Sequence, residues 1–420
     1  MTILKPEKTE KMLVANDLGY GWIKAQIQSV VDGKLKKDSV KMPSILAIKK
    51  QQNNFDPIVF DDASSEKKYM ENFLSNLDIN VNSPSVKMDG RFLVGESAID
   101  SQLQATREFD VNDASGKSDT DLAIILSLAL VAGQRVRNAF RNGEDLSEQL
   151  NCVVSMSTAL PVLEGKTNNK IAQYKERFLK GTHTVTFNNF SEAIVVKVKF
   201  TDVFVTLEGS AAQFAIMNAD DVMKKDIEEY FNQNYSDWGS ISGDELIQSQ
   251  NVLNIDIGHG TVDIVSITDG RVNPNASSSL PFGYGNSLTE AIGRLEGEGI
   301  VIGSQAEFQK FISKTVSPLQ RKKQDYYKEV VFEQLDVLSN KIVTTVSQVL
   351  RNGGVNAEIV FVHGGGSIPM AEQSNLKEEL DEKLRAFNGG SSIPVIWINK
   401  EYAQIMNEKG LMLLLESVNK

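Results

Sequence analysis

The sequence holds a single cysteine, Cys152, among its 420 residues. One cysteine cannot form an intramolecular disulfide, so we expect a reducing compartment and a cytoplasmic protein. Cys152 opens an apolar strand run, where the role of a small buried residue is favoured over catalysis. Histidine is almost as scarce, and the spacing of His183, His259 and His363 is not that of a transition-metal site.

Two further shortages narrow the range of partners. No continuous apolar run reaches the ~18 residues that a bilayer requires, so we expect no membrane partner. Basic residues are outnumbered by acidic ones, and the net charge of −11 lacks the basic footprint of direct nucleic-acid binding. Residues 1–11 are polar and charged, which favours a loose tail over a signal peptide.

The length of 420 residues and the hydrophobic content of 41% fit a globular protein with two or more domains.

One short motif occurs twice, far apart in the chain. Each copy follows an apolar strand run and has the pattern Asp-apolar-Gly-x-Gly, followed by a second β-like run, which predicts a hairpin with a glycine turn. The first copy contains Asp17, Gly19, Tyr20, Gly21 and Lys24, and the second contains Asp256, Gly258, His259, Gly260, Thr261 and Asp263. The two copies carry a carboxylate at the same place.

The presence of two copies makes phosphate binding the favoured function of this motif. Glycines let the backbone turn tightly and expose N–H groups that can cradle phosphate. An aspartate at the strand end can hold hydrated Mg²⁺, which prefers a few carboxylates together with water and phosphate oxygens. A single copy would be weak, because many hairpin turns use glycine. Two copies facing each other would grip a polyphosphate from both sides.

A third glycine site supports a nucleotide. A predicted strand at 358–362 leads into Gly364, Gly365 and Gly366, and a helix follows. Bare backbone at this junction would let an adenine ring or a phosphate lie close, although a flexible turn is the plain alternative. His259 invites a catalytic role, but Tyr20 stands in its equivalent place, which indicates a residue of the binding turn rather than a base or a metal ligand.

The rest of the chain alternates strands and helices. Residues 64–77 are a possible helix, and residues 220–250 look like an insertion. Periodicity predicts helices at 119–141, 166–179, 209–218, 287–296, 325–351 and 401–418, and strands at 91–95, 151–158, 185–207 and 394–398.

The order of these sites resembles the actin superfamily of ATPases over nearly the whole chain. Residues 17–25 and 256–263 resemble its two phosphate motifs, and residues 361–367 resemble its adenosine motif. Residues 207–212 and 403–410 resemble its two connecting segments. The resemblance implies an α/β fold of two lobes, each a ribonuclease-H-like mixed sheet flanked by helices. Lobe I would hold 1–205 and 399–420, and lobe II would hold 206–398.

The resemblance also implies roles for single residues. ATP or GTP with Mg²⁺ would lie in the cleft, with Asp17 and Asp256 as metal carboxylates; either could instead cap its turn. Lys24 would contact phosphate, or simply lie on the solvated face of an alternating strand. Glu208 would orient the attacking water, although the helix dipole also favours an acid there. Asp263, at the register position matching Lys24, would support that water.

Shorter phrases resemble the ParM-type actins that segregate bacterial plasmids: Met-Pro-Ser at 42–44, and residues 94–98 and 159–162. This group implies a polar filament of the chain itself, turned over by nucleotide hydrolysis. An adaptor protein bound to centromere-like DNA would link the filament to its cargo. A small-molecule kinase would need a substrate-activating aspartate, and none stands out. A chaperone-like or sensor ATPase is the other alternative; a chaperone normally carries a further domain, for which the chain ends too early.

Overall fold

The chain forms two compact units in a computed structural model that describes residues 9–31, 33–49, 57–88, 90–101, 106–111, 113, 115–167, 169–354 and 356–418. Unit 1 comprises Met1–Leu160, Thr167–Thr206 and Leu411–Lys420. Unit 2 comprises Pro161–Lys166 and Leu207–Gly410. The predicted tail at 1–11 lies mostly outside the described residues.

The bounds of these units differ from those of the predicted lobes at residues 161–166, at residue 206, which belongs to unit 1, and at residues 399–410. Residues 161–166 belong to unit 2, where the Val162 N–H donates to the Asp263 side chain. Residues 399–410 also belong to unit 2, because the Ala403 carbonyl accepts the Gly364 N–H at 2.9 Å. Only 411–420 of the C-terminal stretch belongs to unit 1.

Unit 1 is built on one ten-stranded sheet. Its strands are β1 (Thr9–Leu18), β2 (Trp22–Val31), β3 (Lys34–Pro43), β4 (Leu46–Lys49), β5 (Asn76–Asn82), β6 (Arg91–Gly95), β7 (Thr106–Arg107), β8 (Leu150–Leu160), β9 (His183–Phe187) and β10 (Ile194–Leu207). The first helices of the chain are α1 (Ala63–Glu71), α2 (Glu96–Asp100), α3 (Asp121–Arg141), α4 (Val162–Lys166), which belongs to unit 2, and α5 (Lys170–Leu179).

The strand order of unit 1 begins β3-β2-β1-β8-β10. β1 pairs antiparallel with β2 and parallel with β8, the arrangement of a ribonuclease-H-like sheet. Helix α3 forms the centre of the core; Thr120 caps it by accepting the Ala123 N–H at 3.3 Å. By length and composition α3 could cross a membrane, but 94% of its apolar window is buried inside the protein, as in a core helix.

Unit 2 repeats this plan. Its strands are β11 (Val252–Ile257), β12 (Val262–Thr268), β13 (Arg271–Val272), β14 (Ser278–Leu280), β15 (Ile359–His363) and β16 (Val395–Trp397). Its helices are α6 (Ser210–Met217), α7 (Asp221–Asn234), α8 (Gly243–Ile247), α9 (Tyr284–Gly297), α10 (Gln305–Ser313), α11 (Pro318–Val349), α12 (Ser367–Gln373), α13 (Leu376–Phe387) and α14 (Lys400–Ala403), and α15 (Met406–Val418) runs on into unit 1. β11 pairs antiparallel with β12 and parallel with β15.

Side-chain alternation along β11 assigns its two faces. Leu253, Ile255 and Ile257 pack into the core that contains α9 and α11. Val252 packs into the opposite core, which contains α6. Because side chains alternate along a strand, Asn254 and Asp256 lie on the α6 side. The polar side chains of β11, Asn254 and Asp256, therefore face α6.

Several predicted boundaries were wrong. The possible helix at 64–77 ends at Glu71, and residues 76 and 77 already belong to the buried strand β5. The helix predicted at 325–351 begins earlier, at Pro318, because proline suits the first turn of a helix. The prediction missed this start because the first turns of the helix are charged and show no apolar period. The helix predicted at 166–179 is interrupted at Asn169, whose φ of 63° is left-handed. Helix α8, inside the predicted insertion, was missed.

Candidate functional site

The first hairpin joins β1 to β2 through a tight glycine turn. The Gly19 N–H donates to the Trp22 carbonyl at 3.0 Å. A Cβ at Gly19 would stand 2.7 Å from that oxygen, so only glycine fits. Ser44 holds the turn from outside: its hydroxyl donates to the Gly19 carbonyl at 2.7 Å, and its N–H donates to the Gly21 carbonyl at 3.0 Å. Ser44 belongs to the Met-Pro-Ser phrase, whose contact with the turn the sequence did not reveal.

Charged side chains lie in a row across the strands of this hairpin. Asp17 on β1 is paired in register with Lys24 on β2, and Lys24 with Lys41 on β3. Directly opposed residues of antiparallel strands share one face, so the lysine lies beside the aspartate. Asp17 is 7% exposed. The pairing is compatible both with phosphate contact by Lys24 and with a cross-strand charge pair.

A buried lysine that the sequence did not single out also reaches this turn. Lys117 is 3% exposed, and its Nζ donates to the Leu18 carbonyl at 2.7 Å. The same Nζ lies 5.4 Å from the centre of the Tyr20 ring, which packs edge-on against Phe109. Tyr20 is therefore part of a packed cluster behind the turn.

The second hairpin has the same turn as the first. The Gly258 N–H donates to the Thr261 carbonyl at 2.9 Å, and a Cβ at Gly258 would stand 2.9 Å from that oxygen. This turn is held by the start of α9: the Tyr284 N–H donates to the Gly258 carbonyl at 3.1 Å, and the Gly285 N–H donates to the His259 carbonyl at 2.7 Å. The duplicated motif is thus a duplicated structure, one copy in each unit.

Asp256 ends β11 within a buried polar cluster. It is 7% exposed, and its Oδ2 accepts a hydrogen bond from the Asn407 side-chain amide at 2.7 Å. Its Oδ1 lies 3.7 Å from Nδ1 of His363, the residue paired with it on β15. The Asn407 Oδ1 in turn accepts the Gly209 N–H at 3.4 Å. Asn407 therefore connects the carboxylate of the hairpin to the peptide that follows Glu208.

Asp263 is paired in register with Asp256, at the position that Lys24 holds in the first hairpin. It is fully enclosed, and burial raises the pKa of its carboxyl above the ordinary value. Its Oδ1 accepts the Val162 N–H at 3.0 Å and a hydrogen bond from the Ser279 hydroxyl. Its Oδ2 accepts a hydrogen bond from the Thr261 hydroxyl at 3.0 Å. These three hydrogen bonds hold the Asp263 side chain in place.

Glu208 lies between β10 and α6. It is 8% exposed, an unusual position for a carboxylate. Gly209, which follows it, has a φ of +76°, and a Cβ there would stand 2.5 Å from Cγ2 of Val265 on β12. The chain therefore turns sharply after Glu208 and starts α6 against the second hairpin.

The three glycines after β15 lie directly against the second hairpin. The Gly366 N–H donates to the Ile257 carbonyl at 2.7 Å. Gly364 has a φ of +91°, and a Cβ there would collide with Asp256 Oδ1 and stand 2.5 Å from the Ile257 carbonyl oxygen. Gly365 is less constrained, since a Cβ there would only touch the side chain of Gln404 at 3.8 Å. A Cβ at Gly366 would stand 2.9 Å from the Ile257 carbonyl oxygen, so Gly364 and Gly366 both allow a close approach to the second hairpin, and Gly364 alone approaches Asp256.

His259 is a packed loop residue in this structure. Its Nε2 is within hydrogen-bonding distance, 3.0 Å, of Gln305 Oε1, and its ring lies against the α-carbon of Gly285. Gly260, beside it, is buried in the turn. Gly283 and Gly285 are close-approach positions that the sequence did not single out, although the run of glycines before α9 was a usable signal.

The residues present fit a hydrated Mg²⁺. Within the described ranges no group of three or more His, Cys, Asp or Glu side chains could hold a metal ion by itself. Mg²⁺ does not need one, since it commonly keeps several waters and takes one or two carboxylates plus substrate phosphates. Asp256 has one oxygen held by Asn407 and the other lying where a Cβ on residue 364 would be. That cradle suits a carboxylate that binds a water of the ion.

Two family models match the chain. Residues 15–210 match a family model described as the N-terminal domain of actin-like proteins, and residues 254–378 match one described as the C-terminal part of archaeal MreB-like actin homologues. None of the curated proteins matches the chain.

Solved structures resemble the chain over almost its full length. The actin-like protein Alp7A aligns with a TM-score of 0.63 at 16% identity, covering 98% of this chain and 97% of its own. An archaeal actin homolog in complex with ADP aligns with a TM-score of 0.58 at 18% identity, covering 97% and 99%. Bacillus thuringiensis ParM with ATP aligns with a TM-score of 0.55 at 18% identity, covering 97% and 100%. The chain belongs to the actin-like proteins and has the two-lobed α/β fold of the ParM type.

Proposed function

We propose that this protein binds ATP or GTP with Mg²⁺, polymerises in that state and hydrolyses the nucleotide to disassemble. The observation that carries the proposal is the duplicated hairpin, which has one turn geometry, one carboxylate position and one copy in each unit. Chance reuse of a glycine turn would not reproduce the register of the aspartates. Solved structures with this fold include Bacillus thuringiensis ParM with ATP and an archaeal actin homolog in complex with ADP.

The chemistry follows from the residues of each hairpin. Turn N–H groups and Lys24 would contact the phosphates, and Asp17 and Asp256 would hold waters of the metal ion. When bound, Mg²⁺ neutralises charge that develops on the phosphoryl oxygens. Glu208 would orient the attacking water, because it is buried at the edge of the polar cluster that Asn407 organises. Asp263 holds the hairpin that presents Asp256.

The filament is the function that we favour over a kinase or a sensor. Its support is the likeness to ParM and Alp7A, whose coverage leaves little of this chain outside the shared fold. A polar filament needs a head-to-tail contact that does not close on itself. The net charge of −11 suits DNA cargo that is reached through an adaptor protein rather than by direct contact. Plasmid segregation in the cytoplasm is the role that we propose for such a filament.

Calorimetry and light scattering test these steps in order. We expect Mg²⁺-dependent binding of ATP or GTP well below a dissociation constant of ~1 mM, and a loss of the Mg²⁺ dependence in Asp17→Ala and Asp256→Ala. Polymerisation should then appear above a critical concentration, with the polymer collected by sedimentation. Nucleotide binding without any rise in scattering at micromolar protein would favour a sensor or a kinase.

Glu208→Ala tests the link between hydrolysis and turnover. Loss of a positioned catalytic group should slow phosphate release by roughly 10²-fold while the nucleotide still binds. Filaments of this variant should persist, because the hydrolysed state is not reached. Glu382→Ala, at an exposed glutamate of α13, is the matched control. Unchanged hydrolysis in Glu208→Ala would assign Glu208 a purely structural role.

A further inference from the structure

The backbone passes between the two units four times: after Leu160, after Lys166, after Thr206 and after Gly410. Residues beside these crossings are hydrogen-bonded to the carboxylates of the second hairpin. Val162, just past the first crossing, donates its N–H to Asp263 at 3.0 Å. Asn407, just before the last crossing, donates to Asp256 at 2.7 Å. The hairpin that carries the proposed metal ligand is thus tied to the places where the chain changes units.

Asn407 makes this connection for two crossings at once. Its Nδ2 donates to Asp256 Oδ2, and its Oδ1 accepts the N–H of Gly209. Gly209 is the third residue past the crossing that follows Thr206. The side chain is 9% exposed, so water competes little for these bonds. Close packing holds the two segments together, since a Cβ on Gly410 would collide with the Ala211 carbonyl.

We infer that Asn407 is a positioning residue that couples the metal-binding carboxylate Asp256 to the Glu208–Gly209 peptide. The inference rests on the proposed function and adds to it a relay, by which we mean the two hydrogen bonds that connect Asp256 through Asn407 to Gly209. By donating to Oδ2, the amide fixes the orientation of the Asp256 carboxylate, which would hold a water of the metal ion. By accepting from Gly209, it fixes the backbone that carries the water-orienting Glu208. A shift of Asp256 on nucleotide binding therefore reaches both crossing segments through one side chain.

The experiment compares two buried asparagines of unit 2. Asn407→Leu keeps the size of the side chain and removes both hydrogen bonds. Asn254→Leu is the matched control: Asn254 is fully buried on β11 and donates to Gln213 on α6 at 2.8 Å. Nucleotide affinity is measured by calorimetry with Mg²⁺ and with EDTA. Hydrogen–deuterium exchange of residues 206–212 is measured in the full chain, with and without Mg²⁺-ATP.

Wild type and Asn254→Leu should bind nucleotide more tightly with Mg²⁺ and should slow exchange at 206–212 when it binds. In Asn407→Leu the enhancement by Mg²⁺ should fall about tenfold or more, the scale for a lost hydrogen bond to a charged group, while affinity in EDTA stays unchanged. Binding should no longer change exchange at 206–212. This separation of binding from protection is a result that a general loss of stability would not produce.

Three outcomes decide the matter. If Asn407→Leu shows the Mg²⁺ enhancement and the exchange response of wild type, the relay is refuted. Equal damage in Asn254→Leu would also refute it, because any buried amide would then serve. If wild type itself shows no Mg²⁺-dependent binding, the proposed function fails and the relay with it. Should Asn407→Leu fail to fold, Asn407→Ser replaces it with the same expected loss, and a wild-type response in that variant overturns the inference.

Discussion

Substituting Gly364 by alanine tests whether the glycine run after β15 is a binding cradle or a flexible turn. At a φ of +91° an L-residue is strained by about 1–2 kcal/mol. The new Cβ would also stand 2.5 Å from the Ile257 carbonyl oxygen and 2.8 Å from its carbon. These are backbone atoms of a central strand, so relief requires the kind of shift that costs about 1–3 kcal/mol in overpacked cores. We therefore expect Gly364→Ala to lower the free energy of unfolding by about 2–5 kcal/mol.

Gly293→Ala provides the control for the same chemical change. Gly293 lies inside α9, and a Cβ there would have nothing within 4 Å. Alanine should stabilise that helix by about 0.5–1 kcal/mol. Urea denaturation of both variants gives the comparison, and calorimetry should show weaker nucleotide binding for Gly364→Ala alone. If Gly364→Ala unfolds within about 0.5 kcal/mol of wild type and binds nucleotide equally well, the cradle does not exist.

Two other changes probe unit 1. Lys117→Met removes the charged donor to the Leu18 carbonyl and should cost about 1.5–3 kcal/mol of stability and weaken nucleotide binding, whereas Lys67→Met, at an exposed lysine of α1, should change neither. Burial lowers the pKa of the His183 imidazole, whose ring nitrogens contact Ser83 and the Phe178 carbonyl. The unfolded chain therefore takes up a proton near pH 6.5 that the folded chain resists, so stability should fall as the pH drops below 6.5. Urea denaturation at several pH values measures this acid-dependent loss of the free energy of unfolding, and the loss should be absent in His183→Gln.

Local patterns predicted the parts of the site that depend on neighbouring residues. The two hairpins were recognisable because strand, turn glycines and aspartate all lie within nine residues of sequence. The strand before Gly364 and the capped start of α3 were recognisable for the same reason. The actin-like fold followed from the order of these motifs, and the comparisons confirm it.

Long-range contacts explain what the sequence did not reveal. Lys117 reaches the first hairpin across 99 residues of sequence, and Asn407 reaches Asp256 across 151. Lys117 carries no local pattern that distinguishes it from other polar residues. Asn407 lies in the segment 403–410 that resembles a connecting segment, but no local pattern predicts its contact with Asp256. The prediction missed the start of α11 because its first turns are charged and exposed; Leu319 is 96% exposed. These turns therefore show no apolar period from which a helix could be predicted.

The two hairpins share a geometry but not a charge. In the first, the aspartate at the end of β1 is paired with Lys24, which balances it across the strands. In the second, Asp256 is paired with Asp263, and two carboxylates directly opposed on neighbouring strands repel each other. Burial and the nearby Asp256 charge both raise the pKa of Asp263, and its hydrogen bonds to Ser279, Val162 and Thr261 oppose that rise. The raised pKa favours a proton on Asp263, and a proton there lessens the repulsion between the two opposed carboxylates. A cation bound beside Asp256, as we propose for Mg²⁺, would oppose that rise, because a nearby positive charge favours the charged form of a carboxyl.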